Sequence, residues 1–135
     1  MRPLHPRELA NVLWLPPIQR YSHFLKSVLG TKLVWSLGNE QGWCLAADED
    51  GVELVPLWPA PEYAQGCASG SWADSVPRSI PLEDFIEVWV PGMAGDHRQC
   101  TVFPTPNDRG PNVDPLKLRE HLLDAIARIE YIDEP

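Results

Sequence analysis

The chain has 135 residues, 44% of them apolar and 22% charged, with a formal net charge of −8. A chain of this length buries roughly two thirds of its unfolded surface in one core, so it needs neither disulfide nor metal to fold. Nucleic-acid affinity comes largely from Lys and Arg neutralising phosphates, and no dense basic cluster is present, which argues against nucleic acid and against an anionic membrane surface; an acidic surface suits a basic protein partner, or serves solubility alone.

Residues 1–15 read as an N-terminal arm, with Pro6 opening a short helix that carries Leu9, Val12 and Leu13 on one stripe. The arm is expected to dock on the body or, in a homodimer, on a second copy. Residues 16–135 read as a single domain. Tyr21, Phe24, Leu25, Val28 and Leu29 recur at helical spacing and Gly30 follows, which predicts a helix over 17–29. Leu33–Leu37, Trp43–Ala47 and Val52–Leu57 are predicted strands. They are separated by the turns Gly38–Gly42 and Asp48–Gly51, where acidic side chains bond their own backbone and Gly supplies a positive φ.

Pro59 and Pro61 stop the third strand, and Pro61 opens a predicted helix over 61–69. Gly70–Asp74 is read as a loop. A further helix is predicted over 81–90 from the stripe Leu82, Phe85, Ile86, Trp89 and Val90, with Pro91-Gly92 as its stop. Cys100–Phe103 is the fourth predicted strand, Thr105–Asn112 a polar loop, and Asp114-Pro115 the start of a last helix over 115–130. The expected fold is α+β. A three-strand meander plus the later strand makes one small, mainly antiparallel four-stranded sheet, packed with about four helices.

Chemistry leaves fainter marks. His5, His23, His97 and His121 show no paired spacing with one another or with Cys44, Cys67 and Cys100, so no zinc site is expected. The segment Asp48–Gly51 lacks the full ligand set of a calcium loop, with Leu57 where the bidentate Glu belongs. No Gly-x-Ser-x-Gly elbow or Gly-rich phosphate loop occurs, and no cofactor is expected. An odd number of widely spaced cysteines argues against a disulfide framework. An N-terminus without a long apolar core, and no run near the roughly 20 apolar residues of a membrane helix, point to the cytoplasm.

The six tryptophans are the least ordinary feature. Trp35, Trp58 and Trp89 are read as core. Trp72 sits in a Gly/Ser-rich loop beside Asp74, with Trp58-Pro59 upstream. It either plugs the core under the loop, or Trp58, Trp72 and Asp74 line a site for a partner or ligand.

The segments Val34-Trp35-Ser36-Leu37, Gly42-Trp43, Pro56-Leu57-Trp58-Pro59, Trp72-Ala73-Asp74, Ile80-Pro81-Leu82 and Phe103-Pro104-Thr105-Pro106 resemble a bacterial family known as domain of unknown function 2750. The likeness spans residues 18 to 130 and leaves the first fifteen residues outside. It implies a small bacterial cytoplasmic protein and carries no catalytic residues. A fainter likeness in element order links the chain to the N-terminal domain of the SseB family, and fold analogy does not establish function. The expectation is a non-catalytic protein-binding module, immunity-like or regulatory. The alternative is a small-ligand binder or enzyme with a pocket near Trp58, Trp72 and Asp74.

Overall fold

A computed structural model describes residues 4–133. The arm forms helix α1 (Pro6–Leu13), capped by His5, whose Nδ1 accepts the Arg7 amide at 3.1 Å. It docks on the chain's own body: Val12 is buried and Leu4, Leu9, Leu13 and Leu15 pack on the core. Trp14 and Ile18, each 80% exposed, are left outside.

Helix α2 (Pro17–Thr31) buries Phe24, Val28 and Leu29, as its periodicity requires. It does not stop at Gly30. Lys32 takes the left-handed position (φ 63°), and its amide bonds the Val28 carbonyl at 2.8 Å. The strain of a non-glycine residue there is held by a tertiary bond, because the Lys32 carbonyl accepts the Leu82 amide at 2.9 Å.

The single four-stranded sheet expected from the sequence is replaced by two sheets. The first orders β2 (Gly42–Trp43), β1 (Leu33–Asn39) and β5 (Val76–Pro81), with β1 central. The second orders β3 (Ala46–Ala47), β4 (Glu53–Leu57), β6 (Gln99–Val102) and β7 (Asn112–Val113). The meander breaks in its middle member. Cys44 still bonds the Leu37 carbonyl at 2.9 Å, after which the chain passes to the other sheet at Ala46. The Asp48–Gly51 turn forms as read, with Asp48 Oδ1 accepting the amides of Asp50 and Val52 at 2.9 Å and Gly51 at φ 80°.

Strand β5 was not expected, because Pro77 and Pro81 interrupt it. It pairs antiparallel with β1, placing Pro77 opposite Leu37 and Pro81 opposite Leu33. An edge strand leaves alternate amides unbonded, so proline at such positions removes no ladder bond. The helix expected over 81–90 is a longer composite: α4 (Leu82–Asp84), a π turn over Phe85–Trp89, and α5 (Val90–Gly95). Val90 bonds the Phe85 carbonyl five residues back. Pro91 thus falls in the first turn of α5, where a missing N–H costs little, and the helix continues past it.

Between β4 and β6 lie α3 (Pro61–Gly66), a 3₁₀ turn at Gly70–Trp72, β5 and the composite helix. This long crossover makes β4 and β6 the parallel pair, in register Leu54↔Gln99 to Leu57↔Val102, while the other strand pairs are antiparallel. Helix α6 (Pro115–Asp133) is capped as read: Asp114 Oδ1 accepts the Leu116 amide at 2.8 Å, and Leu118 and Leu122 are fully buried. The three cysteines are unbridged.

The two sheets are joined where Trp35 meets Trp58, and beside that bridge the Ser36 hydroxyl of β1 donates to the Pro56 carbonyl of β4 at 2.6 Å. Trp35 and Trp58 exchange backbone bonds of 3.0 and 2.8 Å. Pro59 follows and cannot extend the ladder. Trp58 is fully buried there, and its indole N–H donates to the Pro104 carbonyl at 2.8 Å. A second anchor is Arg20, 2% exposed. Its guanidinium donates to the carbonyls of Leu15 (2.7 Å), Phe103 (3.0 Å) and Arg109 (3.2 Å), and to Asp108 at 3.3 Å.

Candidate functional site

The first hairpin, β1–β2, organises the most distinctive surface. Asn39 Oδ1 accepts the Gln41 amide at 2.8 Å and Gly42 adopts φ 134°, which closes the turn in two residues. The register sets Trp43 opposite Gly38 and Gly38 opposite Val76. A Cβ on Gly38 would stand 3.0 Å from Arg78 Cδ and 3.0 Å from the Gly42 carbonyl oxygen. The bare glycine therefore lets Arg78 reach across from β5 and lay its guanidinium over Trp43, with Cζ 4.2 Å from the ring centroid. On its other side Trp43 meets Trp89, delivered by the π turn, edge to face at 4.6 Å.

Three shallow grooves adjoin the Arg78–Trp43–Trp89 stack. A broad one of about 800 Å³ runs along Glu40, Gln41, Asp74, Val76 and Arg78. One of about 380 Å³ lies between Trp43, Trp89, Val88, Met93 and Arg98. One of about 360 Å³ lies between Trp43 and Trp72, above Cys44 and Ser75. The Cys44 thiol donates to Ser75 Oγ at 2.9 Å, which fastens the 70–75 loop to the hairpin.

The three residues singled out from the sequence fall at different depths. Trp58 is interior. Trp72 is half-buried, packs on the core and meets Trp58 edge to face at 6.3 Å. It also walls the third groove, so it serves the core and the surface together. Asp74 is exposed and lines the broad groove beside Arg78. The structure joins Trp58 to Trp72 but does not set all three around one of these grooves. Because Trp72 rests on Trp58, Trp72→Ala is expected to cost about 2–3 kcal/mol of stability, read as a shifted urea midpoint by circular dichroism; an unchanged midpoint would remove it from the core.

Trp43, Trp89 and Arg78 were not grouped by sequence reasoning. Trp89 looked like a core residue of a helix stripe, and Arg78 lay in a stretch not read as a strand. Their meeting is tertiary. The one local sign was a bare glycine, Gly38, as the hairpin partner of Trp43.

Among the described residues, the indole N–H groups of Trp43, Trp72 and Trp89 have no protein acceptor, so each remains available to a partner's carbonyl. Burial raises the Cys67 thiol above its usual range and pushes Cys100 up to about 12, which keeps both protonated and poor as nucleophiles at neutral pH. Among the described residues, no group of three or more His, Cys, Asp or Glu side chains is placed to hold a metal ion, and no helix is long and apolar enough to cross a membrane.

The family model described as "Protein of unknown function (DUF2750)" matches residues 21–122. No curated protein and no solved structure matches the chain. The chain belongs to the DUF2750 family.

Proposed function

We propose that this member of the family is a non-catalytic protein-binding module, and that it engages its partner through the aromatic face around the β1–β2 hairpin. The observation that carries the reading is the Arg78–Trp43–Trp89 stack, set among open grooves with unbonded indole donors. Interface hot spots are enriched in Trp and Arg, and wide shallow grooves suit a protein surface better than a small molecule. Glu40, Asp74, Glu87 and Asp96 are exposed, and with the net charge of −8 they favour a basic partner.

The setting we propose is a bacterial cytoplasm, where unbridged thiols persist, and the role is immunity-like or regulatory. A homodimer formed through the arm would use Trp14 and Ile18, since Leu9, Val12 and Leu13 are already taken by the chain's own core.

The test is affinity capture from the native bacterium with the intact protein and two variants. Val88 is 65% exposed in the groove beside Trp89, so Val88→Asp leaves the fold intact while placing a charge in the contact surface. Trp43→Ala removes the centre of the stack. A specific partner should be retained by the wild type and lost with both variants, and Val88→Asp should unfold within about 0.5 kcal/mol of wild type. Equal recovery of that partner on all three proteins would refute the assignment of this face.

A further inference from the structure

Each sheet ends in two edge strands, and an edge offers its unpaired backbone groups to any strand that meets it. Among the described residues, the edge strands β2, β3 and β7 are two residues long each, too short to hold a further strand. β5 is different. It runs for six residues, and Val76, Arg78, Ser79 and Pro81 are exposed along it. Val76, at 56% exposure, adds an apolar side chain to that edge.

The bonds around β1 fix which backbone groups of β5 face outward. Leu37 accepts the Cys44 amide and Trp35 exchanges bonds with Trp58, so both direct their backbone groups away from β5. At the end of the ladder the Leu82 amide reaches the Lys32 carbonyl, so the even-numbered residues of this pair exchange its bonds. The odd-numbered residues of β5 alternate with them and point the other way. In register, Pro77 stands opposite Leu37, Ser79 opposite Trp35 and Pro81 opposite Leu33. The outward row of β5 is therefore Pro77, Ser79 and Pro81. Of the amides that an incoming strand would need there, only that of Ser79 exists, and among the described residues nothing bonds it. Pro81 also caps α4, so its carbonyl is drawn into the start of that helix.

We propose that Pro77 and Pro81 guard this edge: they stop two folded copies of the chain from joining their first sheets through β5. Edge-to-edge pairing needs each strand to donate and accept in turn, and a row with a single amide cannot complete the ladder. A second copy is the strand to be kept off, because it presents the same edge and can approach it about a two-fold axis. The guard lies in the backbone of β5, apart from the arm and from the side chains of the aromatic face. It stands without the proposed function, and the proposed function stands without it.

The experiment compares the full chain with the double variant Pro77→Thr, Pro81→Thr by sedimentation velocity over a concentration series, and by amide hydrogen exchange. Threonine restores both amides, favours strands at 77 and is a good helix cap at 81, so the fold is kept. The double variant should form a species of twice the wild-type mass, at concentrations about tenfold or more below any at which the wild type doubles. In that species the amides at positions 77, 79 and 81 should exchange about tenfold or more slowly than on dilution. Pro77→Thr alone leaves the cap of α4 untouched and should associate by the same edge, more weakly; it decides the matter if the double variant does not fold. Sedimentation of the folded variant indistinguishable from wild type would overturn the proposal. So would association that leaves the Ser79 amide exchanging as fast as in the wild type.

Discussion

Trp58→Ala is expected to lower stability by roughly 3–5 kcal/mol, the range for deleting a large aromatic from a packed core. That is a large part of the 5–15 kcal/mol or so that separates folded from unfolded states in ordinary domains. Three contributions converge at this residue. Its ring is fully buried, its indole N–H satisfies the Pro104 carbonyl, and its edge-to-face contact supports Trp72. Its backbone also bridges the two sheets through Trp35, but alanine keeps that pairing, so the variant isolates the side chain. Trp58→Phe separates the terms further. It retains most of the apolar volume and leaves the Pro104 carbonyl only the longer bond from the Cys67 thiol at 3.5 Å, at about 1–3 kcal/mol. Urea unfolding of both variants should rank them Ala below Phe below wild type, and a loss of less than about 1 kcal/mol for alanine would contradict the core position.

Arg20→Ala should be comparably damaging, at roughly 3–5 kcal/mol, but for a polar reason. The guanidinium serves the carbonyls of Leu15, Phe103 and Arg109 at once. Without it, these acceptors lose their donor and the junction between α1 and α2 is released from the 103–109 segment. Lysine cannot replace the planar fork, so Arg20→Lys should recover little of the loss. The ion pair itself is the minor part, because Asp108 is 51% exposed and an exposed partner contributes little. Asp108→Asn should therefore cost under about 1 kcal/mol. Chemical denaturation of the three variants distinguishes a carbonyl clamp from a salt bridge: equal losses for Arg20→Ala and Asp108→Asn would mean that the charge pair dominates.

The long helices were legible because periodicity and caps agree there: Phe24 and Val28 in α2, and the Asp114 cap with Leu118 and Leu122 in α6. The Asp48–Gly51 turn was legible for its turn chemistry. The division into two sheets was not, because nothing local at Cys44-Leu45 marks a strand changing partners. β5 was hidden by the two prolines that an edge position tolerates. Pro91-Gly92 looked like a helix stop, and the extra residue of the π turn overrides it. Of the site, Trp72 and Asp74 stood out through loop composition, whereas Trp43 and Trp89 are brought together only by the packing of the helical run against the hairpin.

The parallel pairing of β4 with β6 also fixes an order of events during synthesis. β4 can join β3 as a local hairpin as soon as residue 57 is made. Its other edge, the stretch Glu53–Leu57, must wait until Gln99–Val102 has been translated, and in the meantime β5 is committed elsewhere, to the older sheet. Such long-range pairing slows folding, and a half-made chain carries an apolar strand with one open side. A nascent polypeptide stalled before Gln99 is therefore the form of this protein most prone to aggregate and most in need of a chaperone.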